Sequence, residues 1–201
     1  MDFNNKDNIT IGLPKPGGAV YVAPLGTALP TDADTSLSSD YANLGYITED
    51  GLTVSTGESV DKIRAWGRDV VMNASTEYDK TFTLALMETI RKATLEFVRG
   101  KENVAVNADG SIASGDTGEP LPRCVVVVDT LQNNGSATPR IHRIVFGDCQ
   151  ISDRSGDQNY NNSDPLTYPV MCEAFKFDSV ALPGKQTYCD DFWSAAETVS
   201  A

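Results

Sequence analysis

One stretch, residues 49–100, constrains the fold of this chain more than any other. A turn signal opens it, and a long polar segment follows that carries a single large aromatic residue, Trp66. The stretch ends in an amphipathic pattern at about residues 86–99, directly before Gly100. This order predicts a long β-hairpin arm at about residues 51–75, which leads into a strand and then into one α-helix.

The helix is predicted from a single apolar stripe. The stripe recurs at helical spacing and consists of Leu86, Ile90, Ala93 and Phe97. Glu88 lies four residues before Lys92, a spacing that favours an ion pair on the helix surface, and Gly100 supplies a common helix stop. Because only one face is apolar, we expect the helix to pack on a sheet.

Most of the remaining chain is predicted to form strands and loops. Asp50 and Gly51 predict a tight hairpin between two short strands, and four consecutive valines predict a strand buried on both faces. The strand-like runs are residues 19–23, 44–48, 52–55, 81–84, 103–107, 121–131, 140–147 and 166–177, and the long loops are residues 24–43 and 107–119. The fold class is therefore mainly β, a β-sandwich or barrel of about eight or nine strands with one packed helix.

No composition shift or internal repeat divides the chain, so we expect a single domain over residues 1–201. Residues 1–18 contain two prolines and three glycines and predict an N-terminal arm, and residues 186–201 predict a C-terminal tail. No stretch is long and apolar enough to span a membrane. The first six residues lack the apolar core of a secretory signal, so we expect a cytoplasmic product.

Charge and cysteine usage exclude two kinds of function. Acidic residues outnumber basic residues by 28 to 16, for a net charge of −12, and such a surface repels nucleic acid rather than holding it. The four cysteines are widely spaced without a Cys-x-x-Cys pair, which argues against zinc. We expect them to be reduced and structural, as is usual in the cytoplasm.

Nothing in the sequence indicates an enzyme, a cofactor or a metal site. His142 is the single histidine, and its strand pattern favours a hydrogen-bonded sheet residue over a catalytic base. Gly-x-Ser-x-Gly, P-loop and dinucleotide-binding motifs are absent. A calcium-loop pattern starts at Asp157, but Asn162 and Tyr168 stand where the motif needs Gly and Glu, which favours a polar hairpin loop instead.

The arm offers the best candidate for a functional surface, an interface between subunits. It combines apolar and basic side chains at mid-length, and the predicted interface residues are Val60, Ile63, Arg64, Trp66 and Arg68. Residues 61–100 carry seven basic and six acidic residues, whereas the rest of the chain carries 9 and 22. A nearly neutral arm could dock on an acidic neighbour. The alternative is a surface loop whose tryptophan folds back on its own domain.

Several short motifs in the same order resemble the tail tube proteins of siphophages, the long-tailed bacteriophages, in particular those of phages that infect actinobacteria. The matching segments are residues 21–27, 44–51, 63–71, 81–84, 88–89, 100, 151–153, 156–157 and 165–168. One departure is Gly67 directly after Trp66, where relatives often have Gln before the Gly.

The resemblance implies a structural virion protein that self-assembles into stacked hexameric rings around a DNA-conducting channel, with its inner sheets joined around the lumen. It implies that the arm reaches a neighbouring subunit, and that the partners are a tape measure protein and tail terminator or initiator proteins. DNA would pass through without specific binding, and the protein would be made in the host cytoplasm. The alternatives are the inner-tube protein of a contractile secretion system, and a β-sandwich carbohydrate-binding or adhesion module.

Overall fold

The structure, a computed structural model, describes residues 9–132, 140–154 and 156–194. These residues form thirteen strands, one α-helix and one 3₁₀ turn. The strands are β1 Gly12–Pro14, β2 Val20–Pro24, β3 Ala42–Asn43, β4 Thr53–Arg64, β5 Val70–Leu86, β6 Val104–Val106, β7 Ile112–Ser114, β8 Cys124–Gln132, β9 Arg140–Asp153, β10 Tyr168–Ala174, β11 Phe177–Asp178, β12 Gln186–Thr187 and β13 Asp190–Trp193; the helix is α1 Lys92–Arg99 and the 3₁₀ turn is Lys101–Asn103.

Nine strands form one antiparallel sheet in the order β3-β2-β8-β9-β10-β5-β4, with β1 added beside β8 and β13 beside β9. Strand β9 is long enough to pair with β8 along one edge and with both β13 and β10 along the other. Within the described residues the sheet is not closed into a barrel, and it is consistent with a β-sandwich. The mainly-β fold with one helix and a long hairpin is therefore confirmed.

The valine run lies at the centre of this sheet and is buried on both faces, as predicted. Val126 and Val128 belong to the larger apolar cluster, which also contains Phe146 and residues of α1. Val125 and Val127 point the other way, into a smaller cluster covered by the loop between β2 and β3. Successive strand residues face opposite sides, so four β-branched residues in a row supply both cores.

The predicted start of the helix is wrong, because α1 covers Lys92–Arg99 rather than residues 86–99. Leu86 is fully buried, but as the last residue of β5, where its backbone pairs with β10. Ile90 lies in the turn before α1 and is 85% exposed. The stop is confirmed: Gly100 has φ +91°, and its N–H donates to the Glu96 carbonyl.

The ion pairs beside the helix also differ from the expected one. Glu88 pairs with Arg91, three residues on, at 2.5 Å, and Lys92 pairs with Glu96 at 3.6 Å. The reason is the late helix start, which leaves Glu88 outside α1. From there its carboxylate also accepts a hydrogen bond from the backbone N–H of Tyr46. The hydrogen bond from Arg91, and to a smaller degree that from Tyr46, lower the pKa of Glu88.

Two predictions about strands and loops are also wrong. Asp50 and Gly51 form a turn, with the Gly51 N–H donating to the Thr48 carbonyl, but it does not join two paired strands. The preceding segment reaches the sheet only through a single bridge, Ile47 to Leu86. Residues 107–119 are not wholly loop, because β7 lies within them and pairs with β6 as a small hairpin.

The ends of the described chain take part in the sheet. In the predicted N-terminal arm, residues 1–8 lie outside the described residues, and β1 pairs with β8. In the predicted C-terminal tail, β13 pairs with β9 before residues 195–201, which also lie outside them. No helix in the described parts of the chain is long and apolar enough to cross a membrane.

Candidate assembly surface

The longest hairpin of the fold, formed by β4 and β5, extends beyond the sheet. Strand β10 pairs with β5 only up to Lys80, whereas β4 stays paired with β5 as far as Arg64 and Val70. Residues 57–79 therefore form a two-stranded ribbon without a third strand, which we call the distal hairpin. Every residue of β4 is exposed, and the contact that the described parts of the chain make with this ribbon lies at its base, where Tyr188 packs on Tyr78.

The tip of the distal hairpin is a tight turn that presents Trp66 to solvent. The Ala65 N–H donates to the Asp69 carbonyl at 2.9 Å, and the Arg68 N–H donates to the Ala65 carbonyl at 3.0 Å. Gly67 and Arg68 both have positive φ, +111° and +77°, a region that glycine enters without strain. Gly67 thus fits the turn that holds the indole outward, where it is fully exposed.

The five predicted interface residues all lie on this ribbon. Val60, Ile63 and Arg64 belong to β4, and Trp66 and Arg68 belong to the tip. The structure does not bring Trp66 back onto its own domain, which contradicts the alternative interpretation of a tryptophan folded inward. Within the hairpin, the Arg64 guanidinium donates to the Arg68 carbonyl at 2.9 Å and steadies the turn.

The strand register sorts the side chains of the distal hairpin onto two faces of different charge. Paired residues of an antiparallel ladder share a face, and alternate residues change face. One face holds the pairs Glu58–Tyr78, Val60–Ser75, Lys62–Asn73 and Arg64–Val70. The other face holds the pairs Gly57–Asp79, Ser59–Glu77, Asp61–Ala74 and Ile63–Met72. We call them the basic face and the acidic face.

The basic face continues the side of β5 that packs on the protein core. Phe82 lies four residues after Tyr78 on the same face of β5; it is fully buried and stacks on Phe146 with ring centroids 4.2 Å apart. Tyr78 makes the last contact with the body, through the ring of Tyr188 at 5.0 Å. Beyond Tyr78 this side of the ribbon lies in the open and still carries exposed apolar residues, among them Val60.

A buried ion pair that the sequence analysis missed anchors the long loop between β2 and β3. Arg143 donates from Nε and one terminal nitrogen to the two carboxylate oxygens of Asp129, at 2.7 and 2.8 Å, and both side chains are 1% exposed. Its other terminal nitrogen donates to the carbonyls of Asp32 and Thr35. The signal in the sequence is a charged residue at the edge of each of two apolar runs, Asp129 directly after the four valines and Arg143 directly before Ile144.

The single histidine has the structural role that the sequence predicted. His142 lies in β9, its Nε2 is 3.2 Å from a carboxylate oxygen of Asp191, and its ring stacks on Trp193 with centroids 3.9 Å apart. These contacts hold β13 on β9. Trp193 thus lies on β13 beside β9, whereas Trp66 lies at the tip of the distal hairpin, so the two do not form the grouped aromatic face that a carbohydrate-binding module would require.

The four cysteines are free thiols. Cys124 and Cys149 lie opposite each other on β8 and β9, with sulfur atoms 3.8 Å apart. The hydrogen bond to Cys124, and then burial, raise the pKa of the Cys149 thiol well above its ordinary value. Burial likewise raises the pKa of Cys172. No group of three or more candidate metal ligands occurs among the residues that the structure describes.

A cleft of about 650 Å³ lies elsewhere on the body. Residues 12–19 and residues 45–49 form much of its wall, together with Glu88 and Arg91. Tyr46, which is 77% exposed, stands on this wall. The cleft contains none of the predicted interface residues.

Comparison with known proteins agrees with this arrangement. A family model described as phage tail tube protein matches residues 4–175. The matched range includes the whole β4–β5 hairpin and the core strands, and it ends just before β11. No curated protein matches the chain. Because the family model covers most of the sequence, the chain belongs to the phage tail tube protein family.

Proposed function

We propose that this protein is the major tail tube subunit of a bacteriophage with a long, non-contractile tail, and that its copies stack as hexameric rings around a channel for DNA. The family itself establishes the coarser statement: the protein is a structural component of the virion tail, it is not an enzyme, and it assembles with other subunits into a tube. The ring number, the stacking and the passage of DNA are our proposal.

The observation that supports the proposal is the uncovered distal hairpin. A two-stranded ribbon is marginally stable alone in water, and this one exposes apolar side chains along its length and at its tip. Val60, Ile63 and Trp66 are all exposed. A neighbouring subunit that covers them, with Arg64 and Arg68 beside them, would bury this surface and satisfy the free strand edge of β4.

The rest of the proposal concerns organisation and partners. We propose that the chain is one tail tube domain, with the β4–β5 hairpin as its inter-subunit arm and with short terminal extensions. Its partners would be further copies of itself, a tape measure protein, and the terminator or initiator proteins of the tail. It would need no cofactor, it would be synthesised in the host cytoplasm, and DNA would pass through it without specific binding.

Negative-stain electron microscopy of the purified protein, paired with a mass measurement in solution, tests the proposal. We expect rings with six-fold symmetry, and tubes when the protein is concentrated or seeded with a tail initiator. A protein that stays dispersed and monomeric at every salt and protein concentration, with or without the initiator, would contradict it. Rings of another symmetry would overturn the hexamer alone.

A further inference from the structure

We infer that, of its two faces, the distal hairpin docks on a second copy of this chain through the basic face, together with the tip and the adjacent Ile63, while the rest of the acidic face stays in solvent. This inference rests on the proposed function and specifies how its interface is built. The two faces belong to one ribbon, share its length and its tip, and differ in charge and apolar content. One ribbon therefore offers two surfaces, of which only one suits a neighbouring subunit.

The charges on the two faces have opposite balances. The basic face carries Lys62 and Arg64 against Glu58, and Lys80 lies on the same face at the base of the hairpin. The acidic face carries Asp61, Glu77 and Asp79 and no basic residue. No ion pair within the described residues involves Lys62 or Arg64, so neither positive charge is neutralised by a carboxylate there.

Apolar side chains along the ribbon also favour the basic face. It presents Tyr78, Val60 and Val70 in sequence from the body towards the tip, all of them exposed. The acidic face has its one apolar pair, Ile63 and Met72, close to the tip. An interface needs an apolar centre as well as complementary charge at its rim, and only the basic face offers both along its length.

Continuity with the core indicates that the basic face is the one built to be covered. On β5 the same side buries Phe82, Leu84 and Leu86 against the body. The side therefore changes from packed to uncovered where the body ends, at Tyr78 and Tyr188, and beyond that point it still carries the apolar residues Val60 and Val70. The opposite side of β5 carries Thr81, Thr83 and Ala85 at the alternating positions, and none of these residues is buried.

The partner that suits this face is a further copy of the chain. Outside residues 61–100 the chain carries 22 acidic and 9 basic residues, so the body of a neighbouring subunit presents excess negative charge. A cationic, partly apolar face docks there favourably, and an acidic face is repelled. Charge complementarity therefore also determines which face of the ribbon contacts the neighbouring subunit.

Charge reversal on each face tests the inference. We expect the double variant K62E/R64E to raise the protein concentration needed for tube formation by about tenfold or more. The matched variant on the other face, D61K/E77K, should change that concentration by less than about threefold. A third variant, K101E/K185E, places the same change of net charge as K62E/R64E on exposed residues of the body. It should assemble like the unmodified protein.

Each outcome decides a separate question. If K62E/R64E assembles normally, or D61K/E77K is impaired to the same degree, docking through the basic face is wrong and the tube function stands. If K101E/K185E is impaired as strongly as K62E/R64E, overall repulsion explains the loss and the face assignment again fails. If the unmodified protein never associates, the proposed function fails first. Unfolding of each variant monomer by urea serves as the folding control.

Discussion

At the scale of single residues, the Asp129–Arg143 pair is the most buried ion pair among the described residues. All its hydrogen-bonding groups have partners: Arg143 holds the carboxylate and two loop carbonyls, and Lys15 adds a third cation contact to Asp129 at 3.2 Å. A buried pair of this kind adds little against an apolar replacement of both members. The pair instead fixes the position of the loop between β2 and β3, because Arg143 also donates to the carbonyls of Asp32 and Thr35 in that loop.

Removal of one member alone should destabilise the monomer strongly. Arg143→Met leaves a buried carboxylate short of its main partner and two loop carbonyls without donors, and we expect a loss of about 3–5 kcal/mol in the free energy of unfolding. Lys92→Met, which removes an exposed pair with Glu96, should change it by less than about 1 kcal/mol. Urea unfolding followed by fluorescence measures both. An equal change in the free energy of unfolding for the two variants would mean that the buried pair contributes no more to stability than the exposed pair.

The contact between Asp191 and His142 should make stability depend on pH at the acid end. The hydrogen bond from His142 lowers the pKa of Asp191 below its ordinary value of 3.8. Because its pKa is lower in the folded state, the ionised Asp191 carboxylate stabilises the fold above pH 3.8. This stabilisation is lost as the pH falls through the lower pKa of the folded state. Asp191→Asn should therefore lower the melting temperature at about pH 6, and the difference from the unmodified protein should shrink below about pH 3.

Scanning calorimetry at several pH values checks this, with Asp50→Asn as the control. Asp50 lies exposed in a turn, so its replacement should leave the melting temperature unchanged at every pH. A difference between Asp191→Asn and the unmodified protein that persists undiminished at the lowest pH would show that packing, and not the carboxylate, is responsible.

At the scale of elements, the sequence predicted those whose pattern is local. The valine run and the β4–β5 hairpin were predicted because β-branched residues and alternation carry their signal within the segment itself. The helix start was missed because Leu86 fits the helical stripe as well as it fits a strand end. Its pairing with β10, about eighty residues away in the chain, decided between them, and no local pattern contains that information.

The candidate surface was predicted in part for the same reason. Exposed apolar residues in a polar hairpin are visible in the sequence, so Val60, Ile63 and Trp66 could be named. Alternation along β4 already puts Val60 and Ile63 on opposite faces, but their partners on β5 could not be predicted, because bulges at Ser59/Val60 and Ile63/Arg64 shift the register between the two strands. A one-residue slip moves side chains to the opposite face. Only the observed pairing places Met72 opposite Ile63 and Ser75 opposite Val60.

The two tryptophans offer a matched test of the hairpin's role. Trp66 is fully exposed at the tip, whereas Trp193 stacks on His142 within the body. Trp66→Ala should leave urea unfolding of the monomer unchanged and weaken tube formation, at a cost of about 2 kcal/mol or more per contact. Trp193→Ala should instead lower the stability of the monomer, because it removes the stacking contact.

Sedimentation of assembled protein, read beside monomer unfolding, separates the two effects. If Trp66→Ala forms tubes at the same protein concentration as the unmodified chain, the tip does not anchor on a neighbour. If it destabilises the monomer as much as Trp193→Ala does, the indole packs on its own domain in solution. Either result would remove Trp66 from the interface.

At the scale of the whole molecule, the net charge of each subunit matters most, because the total charge of a tube rises with the number of its subunits. Each subunit carries a net charge of −12, and a tube repeats this charge in every subunit. Duplex DNA carries one negative charge per about 1.7 Å of its axis, and basic surfaces bind it by releasing counterions. We propose that the channel wall is predominantly acidic, so that it repels DNA and lets it slide.

Assembled tubes should therefore not bind duplex DNA, at about 150 mM salt or at about 50 mM. The two salt concentrations matter because binding through phosphate contacts strengthens steeply as salt is lowered, whereas repulsion between like charges only becomes stronger. Co-sedimentation of labelled duplex DNA with tubes measures this, with a basic DNA-binding protein as the positive control. DNA that pellets with the tubes, and does so more at low salt, would require a basic wall. The excess of acidic residues would then have to lie on the outer surface of the tube.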